Sequence, residues 1–417
     1  MDTAQVAKAT PLTSPLSTAS PEGEGASSLT SWLAVLSVAA ASFAFVGTEY
    51  LPVGLLPQIA RDLSVTPGTA GLMVTTPGVI AAFSAPALLL VAGRVNRRLI
   101  LLTLSVLLLA SNLVSSFAHS FEVMLVGRAL LGLSLGGFWT VALGTSGQLV
   151  RPERAARASA MIFMGITLAT VIGVPLGTLI ANLSSWRVSF LATAILAAVA
   201  LAAQAVLLPS LPAKEAIRLR DLGAILTRMN PAKSFLMVAL VFGAHFSSYT
   251  YIAPFLVQSA GFSLQAVTLV LLGFGIVGFV ANFVVSAAVT NHVKGSLSAM
   301  VALVMVVLFA LPVLHASHTA VFLIVMAWGV AYGAIPLCLS IWTQLASPDK
   351  PEAASALFVS TVQVAIAVGS SVGGVVVDHL GIPATMRLGA VLAIAGLAVI
   401  LSFRTHHRTL AELLAKH

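Results

Sequence analysis

Residues 32–59 read WLAVLSVAAASFAFVGTEYLPVGLLPQI, an almost wholly apolar stretch whose one charged residue is Glu49. A helix of about 20 apolar residues crosses the hydrocarbon core of a membrane, so this stretch predicts a membrane-spanning helix. A carboxyl group at that depth costs roughly 3 kcal/mol on insertion scales, and acids retained there usually serve function. Glu49 is therefore the first candidate site residue.

The rest of the chain repeats this pattern. Of its 417 residues 59% are hydrophobic and 8% are charged, and the mean hydropathy is +1.04, whereas soluble domains carry about 25% charged residues. Twelve apolar stretches between Trp32 and Phe403 predict an all-α integral membrane protein with twelve transmembrane helices in two six-helix bundles. The predicted parts are a disordered cytoplasmic tail (1–31), an N-terminal bundle (32–208), a cytoplasmic linker (209–233), a C-terminal bundle (234–404) and a cytoplasmic tail (405–417).

The charged residues indicate an orientation in the lipid bilayer rather than a nucleic-acid partner, although the net charge is +8. Most of the 21 Lys and Arg residues fall in loops and tails on one side of the predicted membrane, and Arg128 is the one base within a predicted helix. Cytoplasmic loops carry an excess of Lys and Arg, so both termini are predicted to be cytoplasmic. The single cysteine, Cys338, excludes an intramolecular disulfide.

An internal repeat relates the two halves. A constant shift that takes Gly137 to Gly333 also takes Gly173 to Gly369 and the Ala-Ser-Ala sequence at 158–160 to its copy at 354–356. Because each half has an even number of helices, the two copies share one orientation, which is a parallel repeat. This arrangement predicts two bundles that move about a central site.

Small residues form a stripe along the fifth predicted helix at four-residue spacing. Such stripes let a neighbouring helix approach closely. One interpretation is ordinary tight packing; the other is that helices 5 and 11 form a sliding seam between the halves, with a kink at Pro175. The residues assigned to gating or packing are Gly165, Gly173, Pro175, Gly177, the repeat partners Gly369 and Gly373, and the loop residues Arg94, Arg97 and Arg98.

These motifs resemble the major facilitator superfamily. GRALLG at 127–132 is similar to the arginine motif of its fourth helix, and GVPLG at 173–177 to its antiporter motif. TEYLPVGLL at 48–56 looks most like the drug/proton antiporter group that contains purine ribonucleoside and sugar efflux permeases. The resemblance implies a monomeric, proton-coupled exporter in a bacterial inner membrane. One departure is Asn96, which stands where the family pattern has an acidic residue, so the gating contact of that loop is not expected intact.

Glu49 and Arg128 are predicted to lie at similar depth, late in helix 1 and early in helix 4. If these helices are neighbours, as the resemblance implies, the two charges can neutralise one another. Desolvation opposes ionisation of Glu49 whereas Arg128 favours it, so a change in their separation would change proton affinity. Proton coupling is the hypothesis, and a static buried ion pair is the alternative. His245, which the repeat shift aligns with Glu49, is predicted to relay protons or bind substrate, or to be a packing histidine.

Aromatic and amide side chains, scarce elsewhere in the helices, predict a cavity for a planar, partly polar solute, although some such residues serve as interfacial anchors. The candidates are Phe138, Trp139, Tyr249, Tyr251, Asn282, Trp328, Tyr332 and Gln363. The overall prediction is a proton-coupled secondary transporter that exports small molecules by alternating access, with purine nucleosides or related planar compounds favoured by the resemblance.

Sugar or multidrug efflux, facilitated uniport and a non-transporting membrane sensor stay open as alternatives. An enzyme is not expected, because the chain carries no recognisable catalytic, metal-binding or cofactor motif. The sequence GFGIVG at 273–278 fits a dinucleotide fingerprint but lies in an apolar helix without a preceding strand.

Overall fold

The computed structural model describes residues 23–92, 95–151, 154–212, 223, 225–347 and 351–403. Within these residues the chain is helical and has no strand. Twelve of its helices are long and apolar enough to span a membrane, which confirms the predicted fold class. Arg94, residues 1–22 of the predicted N-terminal tail and the predicted C-terminal tail lie outside the described residues.

The twelve spans follow one another through short connections. In the first half they are α1 (Gly23–Asp62), α2 (Pro67–Ala70 continuing as Leu72–Ala92), α3 (Arg97–Ser116), α4 (Phe121–Leu149), α5 (Ala155–Leu168, a π-helical turn Ala169–Gly173, then Val174–Leu183) and α6 (Trp186–Leu207). In the second half they are α7 (Met229–Tyr249, then Ile252–Pro254 and a π-helical turn Phe255–Ser259), α8 and α9 (Leu264–Leu314, broken at His292), α10 (His318–Ala346), α11 (Pro351–Leu380) and α12 (Ile382–Leu401).

Two predicted boundaries are wrong. Helix α1 begins at Gly23 rather than Trp32, and α7 begins at Met229, inside the predicted linker. An apolar stretch identifies only the part of a helix that lies in the hydrocarbon core of the membrane. Adding a residue to an existing helix costs little free energy, so polar residues can extend both helices beyond that core. Hydropathy therefore located the spans better than the helix ends.

Prolines explain the irregular turns in α5 and α7. Pro175 has no backbone N–H, so the ordinary helical bond to Val171 cannot form, and the wider π-helical turn Ala169–Gly173 lies immediately before it. Pro254 likewise follows the break in α7 and precedes the π-helical turn Phe255–Ser259. The predicted irregularity at Pro175 therefore takes the form of a π-helical turn.

The two halves have the same internal packing. Helix α1 packs against α5 and α6, and its repeat partner α7 packs against α11 and α12. A methyl group added at Gly173 would lie 3.3 Å from the Cα of Gly47, and one added at Gly369 would lie 2.8 Å from the carbonyl oxygen of Gly243. The shift in residue number that takes Gly173 to Gly369 also takes Gly47 to Gly243. The repeat therefore extends without a gap into α1 and α7, and Glu49 and His245 occupy equivalent positions.

The glycine stripes pack inside the bundles. Gly165, Gly173 and Gly177 of α5 face α1, whereas Gly369 and Gly373 of α11 face α7. These glycines therefore pack against the first helix of their own half. The helices that carry them do meet the other bundle, α5 against α8 and α11 against α2, but through other residues. At one such contact Gly275 of α8 lies against the backbone of Val171, in the π-helical turn.

Candidate functional site

Arg128 lies at the centre of the first bundle and is fully buried. Its Nε donates to the carbonyl oxygen of Met73 (2.7 Å), its Nη1 to that of Thr48 (2.8 Å) and its Nη2 to that of Glu49 (2.9 Å). The guanidinium of α4 therefore holds the backbones of α1 and α2 together.

Prolines explain why these carbonyls need a partner. In a regular helix the carbonyl of Thr48 would accept from residue 52, and that of Met73 from residue 77, but both positions are proline and have no N–H. Freed carbonyls in a membrane must find another donor. Arg128 supplies it for both helices, and its planar fork suits several acceptors at once.

The predicted ion pair between Glu49 and Arg128 is not formed. Among the described residues, Arg187 with Asp62 is the ion pair within contact distance, and it lies at the protein surface. Arg128 attracts Glu49 electrostatically, but its hydrogen bonds go to backbone carbonyls. The sequence could not distinguish these arrangements, because it contains no information about which acceptors face the guanidinium.

The Glu49 carboxyl group instead contacts the other bundle. Its side chain is 4% exposed, and its Oε1 accepts a hydrogen bond from Nε2 of Gln363 in α11 (3.1 Å). The buried polar bond thus joins α1 to α11 across the interface between the halves. Gln363 was predicted as a substrate residue, and its proximity to Glu49 was not.

A second polar contact steadies the segment before Glu49. Thr48 Oγ1 accepts a hydrogen bond from Nδ2 of Asn112 in α3 (3.0 Å), and Thr193 of α6 donates to Oδ1 of Asn112 (2.6 Å). Asn112 is fully buried. Sequence analysis missed this group, although an amide in an apolar stretch was an available signal.

An aromatic cluster lies beside Glu49 in the second bundle. His245 stacks on Tyr332 with ring centroids 3.4 Å apart, stacks on Tyr249 at 4.7 Å and meets Trp328 edge-on at 5.4 Å. Tyr332 also meets Phe246 edge-on, with ring centroids 6.3 Å apart. These residues come from α7 and α10, so the cluster and the carboxyl group belong to different halves.

Two further aromatic residues connect the halves. Tyr50 of α1 stacks on Phe246 of α7 with ring centroids 5.7 Å apart, and Phe246 touches His245 edge-on. Neither was predicted, because a single Phe or Tyr in an apolar stretch is ordinary in a membrane helix. Only the packing of α1 on α7 makes this pair part of the site.

At the side of the molecule where α1 ends, called here the far side, a carboxylate joins the halves. Asp378 of α11 accepts hydrogen bonds from Oγ1 of Thr66 (2.7 Å) and from the backbone N–H of Gly68 (3.0 Å) at the start of α2. Nearby, the hydroxyl of Tyr251 donates to the carbonyl of Ser370 and lies against Gly71. The contacts of Asp378 and Tyr251 with the start of α2 thus hold the two halves together on the far side.

Comparison with known proteins agrees with this geometry. Residues 38–361 match the family model described as Major Facilitator Superfamily. The chain belongs to the Major Facilitator Superfamily. It is 33% identical over 374 residues to the purine ribonucleoside efflux pump NepI of Salmonella paratyphi B, a match that covers 89% of this chain and 94% of that protein. NepI of Salmonella typhimurium matches with the same identity and coverage.

Solved structures support the fold. A crystal structure of a mutant of the nucleoside transporter NupG superposes with a TM-score of 0.72 at 14% identity, covering 90% of this chain and 99% of that one. A bacterial homologue of the human lysosomal transporter Spinster, in an inward-facing and occupied conformation, gives 0.70 at 14% identity, covering 89% and 95%. The chain is thus a multi-pass membrane transporter of the Major Facilitator Superfamily type, and the superfamily consists of transporters rather than enzymes.

Within this superfamily fold the predicted substrate residues separate into two groups. Tyr249, Trp328 and Tyr332 form the aromatic cluster with His245, and Gln363 bonds to Glu49. The remaining four lie elsewhere: Phe138 stacks on Phe45 in the core of the first bundle, Trp139 packs beside it, Tyr251 closes the far side, and Asn282 donates to the carbonyl of Gly333. Aromatic or amide character alone did not distinguish a site residue from a packing one.

The loop between α2 and α3 contacts its own bundle. Asn96 accepts from the N–H groups of Arg98 and Leu211, and its amide donates to Ser210, while the Arg98 side chain donates to the carbonyl of Ala205. The backbone N–H of Arg97 donates to the carbonyl of Leu211. These bonds join the loop to the segment that follows α6, and Asn96 caps α3. The described residues contain no group of three metal-ligating side chains.

Proposed function

We propose that this transporter is a proton-coupled exporter of purine nucleosides or related planar compounds that works by alternating access. One observation carries the proposal: a buried carboxyl group, Glu49, accepts a hydrogen bond from Gln363 of the opposite bundle, and its neighbour Tyr50 contacts the aromatic cluster of that bundle through Phe246. Aromatic faces suit a planar solute, and a carboxyl group in a membrane suits a proton carrier. The similarity to purine ribonucleoside efflux pumps favours the nucleoside class.

Orientation follows from charge. The excess of Lys and Arg in the loops on the side where α1 begins supports a cytoplasmic location for that side and for both termini, in a bacterial inner membrane. The far side then faces outward. With the far side closed, the conformation corresponds to one in which substrate enters from the cytoplasm.

Proton coupling operates through Glu49. As a carboxylate it accepts the hydrogen bond from Gln363, and this charge-assisted bond holds α1 to α11. Protonation of Glu49 removes the charge and weakens the bond to Gln363, so α1 of the first half and α11 of the second half separate more easily. Export proceeds when substrate leaves outward and a proton taken up there by Glu49 is released inward after the bundles have reoriented. Arg128 keeps the surrounding backbone in place during the cycle.

The proposal is tested in vesicles that contain only this protein. We expect an imposed pH gradient to drive a labelled purine ribonucleoside against its concentration gradient, and dissipating the gradient to stop it. Equilibration without accumulation would indicate a uniporter, and accumulation of sugars or antibiotics instead would indicate another substrate class. Failure of every compound to undergo counterflow would contradict transport of these compounds and favour a sensor.

The far-side closure gives a separate prediction for Asp378→Asn. The amide has one acceptor oxygen and no charge, so it cannot accept from Thr66 and Gly68 as the carboxylate does. Loss of about 1 kcal/mol of hydrogen bonding should raise the far-side-open population roughly fivefold. Spin labels on Arg61→Cys and His379→Cys, in a Cys338→Ala background, would report this as a longer distance component.

Asp62→Asn is the matched control. Asp62 lies on the same side of the molecule, but it accepts from Trp186 and Arg187 within the first bundle. The distance distribution should not change in this variant. If Asp378→Asn also leaves the distribution unchanged, the carboxylate does not hold the far side closed.

A further inference from the structure

The aromatic cluster contains buried polar atoms that have no partner in the fold. They are Nδ1 and Nε2 of His245 and Nε1 of Trp328, and a further one, Oε1 of Gln363, lies on the residue that bonds to Glu49, next to Tyr50 and its contact with the cluster. The side chains of His245, Trp328 and Gln363 are 1%, 0% and 6% exposed, respectively. An unpaired buried polar group costs about 1–3 kcal/mol, so groups of this kind in one place require an explanation other than packing.

The polarity of these atoms is determined by their chemistry. The indole N–H of Trp328 can only donate. The amide nitrogen of Gln363 donates to Glu49, so the unpaired atom of this side chain is Oε1, which can only accept. A neutral imidazole offers one donor and one acceptor. A ligand that satisfies all of these atoms must present both hydrogen-bond acceptors and donors.

The packing of His245 restricts how a ligand can reach it. Tyr332 and Tyr249 stack on the imidazole within 5 Å and nearly parallel to it, at interplanar angles of 5° and 22°. These stacking contacts use the faces of the imidazole, so the nitrogen atoms on its edge are the atoms with which His245 would bond to a ligand. Tyr50, which is half-buried and stacks on Phe246, provides an aromatic surface at the boundary between the halves.

We infer that His245, Trp328 and Gln363 read the hydrogen-bonding edge of a planar heterocyclic base, so that the base rather than the attached sugar determines selectivity. This inference rests on the proposed function. A heterocyclic base offers donors and acceptors in one plane together with a face for stacking. A sugar offers hydroxyl groups without such a face, and a purely apolar compound would leave every one of these polar atoms unpaired.

The inference is tested with three purine ribonucleosides that differ at the C6 edge, where C6 carries an oxo group (with a proton on the adjacent N1), an amino group or hydrogen. Affinity is measured by thermal shift and by competition for transport. We expect the wild-type protein to bind at least one of the substituted nucleosides tenfold or more tightly than the parent, because one additional satisfied hydrogen bond is worth about 1.4 kcal/mol. Removing the ribose should change affinity less than removing the C6 substituent.

The variants separate recognition from packing. Trp328→Phe keeps an aromatic ring but removes the donor, and we expect it to weaken the 6-oxo nucleoside about tenfold while affinity for the parent nucleoside stays the same. His245→Phe should reduce the preference for both substituted nucleosides. Trp342→Phe is the matched control, because its indole donates to Ser234 outside the cluster; the C6 preference should be retained.

Two results would overturn the inference in distinguishable ways. If nucleosides bind but Trp328→Phe and His245→Phe weaken all three equally or not at all, the residues support the cluster and do not read the base. If the wild-type protein neither binds nor transports any of the three, the proposed function itself is wrong and the inference fails with it.

Discussion

Replacing Arg128 by methionine is expected to destabilise the protein by roughly 3–5 kcal/mol, and neutralising Glu49 in addition is not expected to restore it. The variant loses the hydrogen bonds to the carbonyls of Met73, Thr48 and Glu49. Bonds from a charged donor contribute about 1.5–3 kcal/mol each, and the carbonyls of Thr48 and Met73 would be left without a donor. The measurements are the melting temperature in detergent and the yield of folded protein.

The double variant Arg128→Met with Glu49→Met distinguishes the two possible roles of the arginine. If Arg128 were chiefly the counter-ion of Glu49, removing both charges would restore most of the stability, because the cost lies in an unpaired buried charge. In the observed geometry methionine at position 49 offers no donor to the freed carbonyls. We therefore expect the double variant to be at least as unstable as the single one.

Proline replacement gives the complementary test. Pro52→Ala returns an N–H to the helix at the position from which the carbonyl of Thr48 can accept. Combined with Arg128→Met it should recover part of the lost stability. Arg187→Met serves as the control, because its surface ion pair with Asp62 contributes at most about 1 kcal/mol. Full recovery by Glu49→Met and none by Pro52→Ala would contradict the carbonyl-holding role.

Replacing Glu49 by glutamine is expected to abolish accumulation driven by a pH gradient while counterflow persists. Glutamine keeps the shape of the side chain and an oxygen that can accept from Gln363, but it cannot bind and release a proton. The expected result is complete loss of uphill transport, together with substrate exchange within a few-fold of the wild-type rate. Vesicle assays with and without an imposed gradient measure both quantities.

Glu122→Gln is the matched control for this experiment. Glu122 lies at the start of α4 and is exposed. Its variant should accumulate substrate like the wild type. Uphill transport that continues in Glu49→Gln would show that the proton is carried elsewhere, with His245, the repeat equivalent of Glu49, as the next residue to test.

Sequence reasoning was most informative where a residue type was unusual for its surroundings. A carboxylate and a guanidinium in apolar helices were recognisable from their cost alone, and both are buried at the centre of the molecule. The predicted substrate residues Phe138 and Asn282 make contacts within a bundle, and Tyr50 and Phe246, which were not predicted, connect the halves. Aromatic and amide residues occur for many reasons in membrane helices, so their type did not reveal their neighbours.

Hydropathy and repeat spacing were sufficient for the twelve spans, for the two related halves and for the alignment of Glu49 with His245. These properties depend on the free energy of transferring each side chain into hydrocarbon and on the order of the residues. Both follow directly from the sequence. The partners of the charged groups depended on tertiary structure. Arg128 bonds to carbonyls and Glu49 bonds to Gln363 because helices distant in sequence place those particular atoms within 3.1 Å, and hydrogen bonding acts only at such short range.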